Sequence, residues 1–507
     1  MSEVASRYTA FEPLGFRKTI QHLQTQIQEL YRSDSIPWVV GYSGGKDSTA
    51  CLQLIWGALS SLSPGERTKP VHVISTDTMV ENPIVSIWVQ HSLKQMHEAA
   101  AAQQLPVEPH RLTPSADDSF WVNLVGRGYP APRPKFRWCT SRLKINPSNH
   151  FINQVVDKNG EAILVLGSRR RESEKRKESI EKFEGSTRSL LSRNNNAKLD
   201  RCWVYTPIVE WSNDDVWQYL MQVDNPWGYT NKDLLGMYQG ATADGECPLV
   251  VDTSTPSCGD SRFGCYVCTM VEQDKSMQAM IRNDEEKEWM LPLADLRNVY
   301  LDVKDDRKHR DFRRMNKSLT LFNGRLVHGP YTQSYRAKIL EAILRAQMRV
   351  REQGPDVVRH IELLTLPELE KIRTIWVEEK HEIEDLVPKI YEREVGQAYP
   401  GQPLDESQAF QPDDVLLLQE AIGTSGEADE LHFQLVRELL HIEHQYRTSA
   451  RRHGLYDVLD RALEHGAFES AQEALDFALK REQASTDVRD VDGIPVYTAA
   501  EFEEVAP

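Results

Sequence analysis

The sequence predicts an α/β protein: a parallel sheet with helices on both faces, then a cysteine-rich segment, then a mainly α-helical C-terminal half. Three observations carry this expectation. Short apolar runs alternate with helical spacing through the first 235 or so residues, the pattern of strands buried on both faces by crossover helices. A glycine-rich turn joins one such run to a helix. Beyond residue 277 the strand-like runs give way to helical periodicity.

Taken in order, Ile20, Leu23, Ile27 and Leu30 share one face and predict a helix over 16–31, within an N-terminal helical segment 1–30. Residues 36–40, 71–75 and 162–166 read as short strands, with helical stretches around 50–62 and 86–101 between them. These place an α/β domain at 31–235, interrupted by a short polar insert at 192–198 that reads as mobile. Residues 236–276 form the cysteine-rich segment, a long aperiodic stretch unless a metal pins it. A helical domain follows at 277–400 and a helical C-terminal region at 401–507, with patterns over 285–293, 334–351, 366–379, 431–451 and 470–481. The Pro- and Gly-bearing stretch 399–412 reads as a linker.

Composition bounds the class. A chain of 507 residues is long for one core, and 40% hydrophobic with 27% charged residues is the balance of a soluble globular protein. No apolar run reaches signal-peptide or membrane-spanning length, which predicts a cytoplasmic protein. Seven cysteines in such a chain point to reduced thiols and metal or redox chemistry. The net charge of −16 repels nucleic acid unless a local basic patch or a partner offsets it.

The turn Ser43-Gly44-Gly45-Lys46-Asp47-Ser48 follows the strand over 36–40 and opens a helix. Two glycines bring backbone N–H groups close to phosphate oxygens, the helix N-terminus adds partial positive charge, and Lys46 adds a full one. It is not a Walker A loop, which needs glycine at Val40 and a hydroxyl at Asp47. Asp77, at the end of the strand over 71–75, is placed to bind Mg²⁺ or a ribose, or to serve as a plain turn residue.

The S-G-G-K-D-S turn resembles the PP-loop of enzymes that split ATP between its α and β phosphates. Three further segments resemble the phosphoadenylylsulfate-reductase-like branch of that group: Arg137-Trp138-Cys139 through Lys144; Gly167-Ser168-Arg169 through Arg176; and Pro207-Ile208-Val209-Glu210-Trp211 through Trp217. The resemblance implies a Rossmann-like fold of the adenine nucleotide alpha hydrolase kind. It implies ATP held by Ser43, Gly44, Gly45, Lys46, Asp47, Ser48, Asp77 and Gly167, with Mg²⁺, and catalysis by Lys46, Asp47, Arg169 and Arg176. Apart from it, the arginines 169–171 and 176 suit phosphate as bidentate forks or form a solvated helix face paired with Glu172 and Glu174. Asp214 and Asp215 suit the start of the next helix.

Within that branch, the cysteine pattern Cys247, Cys258, Cys265 and Cys268 is similar to the DNA sulfur-modification proteins of bacterial phosphorothioation systems. That likeness implies a [4Fe–4S] cluster on Cys139, Cys258, Cys265 and Cys268. Cys247 is the alternative fourth ligand, and a four-thiolate zinc is the alternative metal, since thiolate spacing serves both. It further implies a cysteine desulfurase as sulfur donor, ATPase-like and small DNA-binding subunits as partners, and DNA as the substrate within a complex. A reductase of adenylylated sulfate, a tRNA-thiolating enzyme and a metal-containing scaffold are the rival readings; no cysteine follows Cys268, where the reductases carry theirs. Cys51 and Cys202 read as core residues. The segment 304–317 is rich in Lys and Arg but also in Asp, so it reads as a backbone-phosphate contact or a salt-bridged face.

Overall fold

A computed structural model of the chain describes residues 8–172, 177–178, 190–194, 196–241, 263–402, 412–423, 426–447 and 452–492. Its contacts group the chain into two units, one of residues 1–120, 131–302 and 346–363, the other of residues 121–130, 303–345 and 364–507.

The first unit is built on β1 (Trp38–Gly41), β2 (Val71–Thr76), β3 (Val107–Leu112), β4 (Ala162–Val165), β5 (Ser192–Arg193) and β6 (Cys202–Tyr205). They form one sheet in the order β3-β2-β1-β4-β6-β5, parallel throughout except for β5. Trp38, Val39 and Val40 are inaccessible to solvent, because β1 is central and feeds two cores. Trp38 and Val40 enter one with Ile27, Leu52, Val73 and Trp217, and Val39 enters the other with Ile74, Ile152 and Val156. The first core is closed by α1 (Phe16–Arg32), α2 (Lys46–Ser60) and α3 (Pro83–Ala102), the second by α4 (Asn146–Asn159). Both faces are therefore covered. The chain runs from β1 outward to β2 and β3, then returns beside β1 as β4, so the C-terminal ends of β1 and β4 flank the topological switch point, where open parallel sheets bind ligands.

Several expectations are corrected in detail. β3 escaped the sequence reading because Glu108, Pro109, His110 and Arg111 break the apolar alternation; as the edge strand of the sheet, β3 tolerates a proline. The polar insert is not a mere excursion: Ser192–Arg193 pairs antiparallel with β6, and Leu191 and Leu199 are buried on either side. Ser212 caps α5 (Asn213–Gln222) in a capping box whose returning carboxylate is Asp215, so the cap is the serine and not Asp214. Residues 236–240 belong to α6 (Asn231–Gly240) and not to the loop expected there.

The second unit is mainly helical. Its elements include α8 (Gln333–Gln353), continuing into the first unit at residue 346, α9 (Leu366–Thr374), α10 (Leu386–Val395), α11 (Pro412–Ile422), α12 (Glu427–Arg447), α13 (Leu455–Gly466) and α14 (Ala471–Asp492), while α7 (Lys275–Asn283) lies in the first unit. The helix expected over 366–379 changes at its end to a π-turn, Ile375–Glu379, which carries the buried Trp376; its indole donates to the Val125 carbonyl at 2.9 Å. The stretch 285–293 is a 3₁₀ turn followed by the short helix Leu291–Asp295. In the basic segment, Arg307 pairs with Asp305, Arg310 with Asp306, Arg313 with Asp311 and Lys317 with Glu438. Those four cations form the salt-bridged face.

Candidate active site

The Ser43–Ser48 turn sits at the end of β1. Gly44 has φ +75°, which L side chains rarely adopt, and a Cβ there would meet Val89 Cγ2 at 2.5 Å. Gly45 precedes α2 as its N-cap and carries no side chain to cap it. The turn is held from within: Ser48 Oγ donates to the Gly45 carbonyl at 3.0 Å and accepts from the Ser43 N–H at 3.2 Å. Tyr238, from α6, accepts from the Lys46 N–H at 3.3 Å, and its ring lies 5.6 Å from Lys46 Nζ. Burial pushes the Tyr238 phenol up, so it stays neutral. Sequence reasoning missed Tyr238, which stands 192 residues from Lys46 in no motif.

Asp47 and Arg169 join the turn to the end of β4. Arg169, only 4% exposed, donates from Nε to Asp47 Oδ1 at 2.6 Å and from Nη1 to the Trp211 carbonyl at 3.4 Å. The other Asp47 oxygen lies 3.3 Å from Lys46 Nζ. Gly167 approaches so closely that a Cβ would lie 2.6 Å from the Asp47 carbonyl oxygen and 3.1 Å from the Ser48 nitrogen. Arg170 pairs with Glu210, and the Arg171 guanidinium lies 3.7 Å from the Tyr8 ring centroid. Arg176 lies outside the described residues.

Between the turn and α4 opens a cleft of about 850 Å³. One wall is Tyr42, Ser43, Asp47, Ser48 and Gly167; the other is Ser141, Lys144, Asn146 and Ser148; Asn194, Asn196 and Lys198 close it from the insert. Its lining combines hydroxyls, amides, two lysines and the carboxylates of Asp47 and Glu81 with several aliphatic side chains, as suits a ligand with both polar and apolar parts. Asp77 is buried beside it, with Oδ2 taking Arg111 Nη2 at 2.7 Å and Nε at 3.1 Å, and Oδ1 taking the Met79 N–H at 2.8 Å.

The segment around Cys139 forms the far wall. Trp138 stacks on Phe120 with centroids 5.2 Å apart, and Arg142 pairs with Asp118 at 2.6 Å. These anchors set a helical turn, Trp138–Thr140, running into a π-turn, Ser141–Ile145. The Cys265–Cys268 turn arrives from elsewhere in the chain: Glu81 and Cys265 form an antiparallel bridge, the Tyr266 N–H donates to Val80 at 3.0 Å, and Thr269 donates to the Pro132 carbonyl at 2.6 Å. Arg297, 2% exposed, donates to the Cys268 carbonyl at 2.9 Å and pairs with Asp302.

Lys144 is the hub. Its Nζ lies 3.9 Å from Glu81 Oε1, and the fields of Cys265, Glu81, Cys139 and Cys268 all act on it. Burial works to lower its pKa, yet these neighbours raise it on balance. The Cys265 thiol is pushed up to about 11 by burial, against the pull of Lys144, and burial raises Cys139 as well. Cys139, Cys265 and Cys268 thus lie within the field of the Lys144 ammonium, whose side chain is about half exposed at the edge of the cleft. Cys247 and Cys258 lie outside the described residues. Cys51 and Cys202 are buried in the two cores.

With the loop, the switch-point cleft and the closing Pro207–Trp217 segment in place, comparison with known proteins bears on the same span. Residues 37–229 match the phosphoadenosine phosphosulfate reductase domain. This reductase-like domain takes in the turn, Asp77, the Cys139 segment, Gly167 and Arg169, and stops short of Tyr238 and of Cys265 and Cys268. The α/β part of the chain thus carries a PAPS reductase-like domain of the PP-loop kind. Similar solved structures include a phosphoadenylyl-sulfate (PAPS) reductase from Candida auris in a phosphate complex, 16% identical, covering 44% of this chain and 92% of that one, with a TM-score of 0.25. An FMN adenylyltransferase from Candida glabrata with FMN and the ATP analog AMPCPP is 12% identical, covering 40% and 56%, TM-score 0.24. The same enzyme with FAD and inorganic pyrophosphate is 10% identical, covering 55% and 77%, TM-score 0.26. Curated proteins yield no match. Among the described residues, no helix is long and apolar enough to cross a membrane.

Proposed function

We propose that the chain is an ATP pyrophosphatase that adenylates a DNA backbone phosphate oxygen so that sulfur can replace it, the activity of DndC-type proteins of phosphorothioation systems. The observation that supports this reading best is Lys144, which lines the cleft, follows Cys139 by five residues and lies within the field of Cys139, Cys265 and Cys268. A cleft for adenylation and a group of thiols then share one wall, an arrangement that sulfur transfer to an activated phosphate requires.

In this reading Ser43, Gly44, Gly45, Lys46 and Ser48 hold the β and γ phosphates of ATP. Asp47 orients Lys46, and Arg169 fixes Asp47 from below, so Arg169 acts on the phosphates through the turn. An oxygen of the DNA phosphate attacks the α phosphorus, the α–β bridging bond breaks, and pyrophosphate leaves; the turn's N–H groups and Lys46 stabilise the charge that gathers on it. The terminal sulfur of a persulfide supplied by a cysteine desulfurase then attacks the adenylylated phosphorus and AMP departs, and a thiol reductant cleaves the sulfur–sulfur bond to leave the phosphorothioate. ATPase-like and DNA-binding subunits supply the DNA. The function assigns residues 31–235 to adenylation and one thiol, Cys139, and 236–276 to the remaining thiols.

Two implied cofactors differ in how well these residues suit them. Mg²⁺ is held through carboxylate oxygens free to coordinate, whereas Asp47 is engaged by Arg169 and Lys46 and Asp77 by Arg111, so these two residues do not fit the ion. A [4Fe–4S] cluster requires four thiolates; Cys139, Cys265 and Cys268 would supply three, although their sulfurs do not all lie within 4.8 Å of one another, and Cys258, the implied fourth, lies outside the described residues. When bound, such a cluster would supply redox-active, sulfur-binding iron, and Lys144 would offset part of the charge of its thiolates.

Two measurements test the function. Lys46→Ala should release pyrophosphate from ATP at least about 100-fold more slowly than the parent, the scale of losing one charge-stabilising group; equal rates would exclude the turn as the site. Digesting host DNA to dinucleotides and weighing them should find sulfur only where an active chain is expressed, and sulfur in tRNA instead would favour the thiolation alternative.

A further inference from the structure

Away from the cleft, β2 and β3 bring two imidazoles and a carboxylate together. His72 stands opposite Glu108 in the parallel register, and His110 follows two residues after Glu108 on the same face. His72 Nδ1 lies 3.1 Å from His110 Nε2 and 3.1 Å from Glu108 Oε2, and His110 Nε2 lies 3.9 Å from that same oxygen. Among the described residues this is the one set of three His, Cys, Asp or Glu ligand atoms that all lie within 4.8 Å of one another.

We propose that His72, Glu108 and His110 bind a divalent transition-metal ion of the zinc type, at a site separate from the nucleotide cleft and from the cysteines. A tetrahedral zinc about 2.0–2.1 Å from each nitrogen or oxygen ligand sets the ligands about 3.3 Å apart along each edge of the tetrahedron. The observed separations of 3.1, 3.1 and 3.9 Å describe one face of such a figure. Without a cation, these three atoms are held by a hydrogen bond between the imidazoles and a His72–Glu108 contact, each at 3.1 Å; a single divalent cation would take all three as ligands at once. Imidazole and carboxylate together suit zinc and its neighbours in the series more than Mg²⁺ or Ca²⁺.

The rings are already oriented. Phe151 of α4 lies 5.6 Å from the His72 ring centroid and 4.7 Å from that of His110. The site is closed on the sheet side and open outward: the His72 side chain is 15% exposed, His110 32% and Glu108 57%. That leaves an entry path and a fourth position for water. Lys158, exposed on α4, is the cation whose field reaches His72; solvent screens a surface ammonium strongly. Since His72 precedes Ile74, the first β2 residue of the cleft lining, by two residues on the same face, the ion sits about 7 Å along the strand from the cleft. There it ties the edge strand β3 to its neighbour.

The test uses the untagged full-length protein, titrated with Zn²⁺ and Co²⁺ by calorimetry and absorption. Expected is one equivalent of Co²⁺ showing weak visible bands without sulfur-to-cobalt charge transfer, retained when Cys139, Cys265 and Cys268 are all changed to serine. His110→Ala should weaken that equivalent at least about 100-fold and Glu108→Gln about 10-fold, on the scale of altered metal shells. Both positions are partly exposed, so melting without metal should match the parent. If the serine variant does not fold, the sulfur-free spectrum of the parent and its loss in His110→Ala decide the question alone. Binding of equal strength in His110→Ala and Glu108→Gln, or Co²⁺ spectra showing only thiolate ligation, would overturn the proposal.

Discussion

Gly167→Ala is the sharpest probe of how the candidate active site is assembled. Gly167 has no left-handed φ, so alanine meets no backbone strain there, only a lack of space. Its Cβ would stand 2.6 Å from the Asp47 carbonyl oxygen and 2.9 Å from that carbon, about 0.9 Å inside the optimal 3.5 Å separation of the oxygen contact. Both atoms are backbone in the first turn of α2, which is buried almost throughout and cannot yield cheaply. Overpacking of this kind costs about 1–3 kcal/mol, or roughly 5 °C in melting temperature for a domain of this size. The displacement itself falls on Lys46 and on the Asp47–Arg169 pair, and a shift near 1 Å in a positioning group costs about 100-fold in rate. Gly236→Ala is the control, because Gly236 is exposed within α6 and a Cβ there meets nothing within 4 Å; it should raise stability by about 0.5–1 kcal/mol. Pyrophosphate release and differential scanning calorimetry on both variants read the outcome. If Gly167→Ala keeps the parent's rate and melting temperature, the turn does not depend on β4 for its geometry.

Two further predictions concern groups remote from catalysis. Arg297→Met strips the donors from the Cys268, Val271 and Glu272 carbonyls and leaves Asp302 unpaired; a loss of about 3 kcal/mol follows, seen as faster proteolysis near 268–275, and an unchanged cleavage rate would mean the guanidinium does not hold the cysteine turn. Burial, with Arg336 and Lys317 adding repulsion, lowers Lys380 to about 8. An unfolded lysine keeps about 10.4, so between these values the unfolded chain binds more protons and stability rises with pH. Lys380→Met should therefore be more stable than the parent at pH 7, by about 2 kcal/mol after allowing for partial solvent contact, with the advantage fading toward pH 10. Urea midpoints across that range check it, and a difference independent of pH would refute it.

Much of the fold was legible because burial on both faces writes itself as unbroken apolar runs, as in Trp38-Val39-Val40 and Ala162-Ile163-Leu164-Val165. β3 was not, because an edge strand half open to solvent can carry Glu108, Pro109 and Arg111 without loss of its ladder to β2. The turn at Ser43–Ser48 was legible for a chemical reason, since glycines and a lysine before a helix have few other uses. The partners of the turn were not. Tyr238 reaches Lys46, and Arg111 neutralises Asp77, only through tertiary packing, and neither spacing nor composition announces such pairings. The His72 and Glu108 pairing depends on a register between two strands that the sequence does not fix.

The position of Lys144 carries the argument one step further. Cys265 and Cys268 belong to a turn beyond the reductase-like domain, whereas Cys139 and Lys144 lie within it. The turn is fastened to the domain by the Glu81 bridge and by Thr269, and to the following segment by Arg297. A nucleotide in the cleft adds negative charge near Lys144, drawing the ammonium toward the phosphates and away from the thiols. Filling the cleft therefore raises the cost of thiolate charge at Cys265, and a metal on the thiols in turn makes Lys144 less available to the nucleotide. Because binding couplings are reciprocal, ATP should weaken metal retention by the same factor that the metal weakens ATP. Lys144→Met should abolish that coupling while leaving the turn and its phosphate-binding N–H groups in place, and a coupling that survives the substitution would separate the two sites.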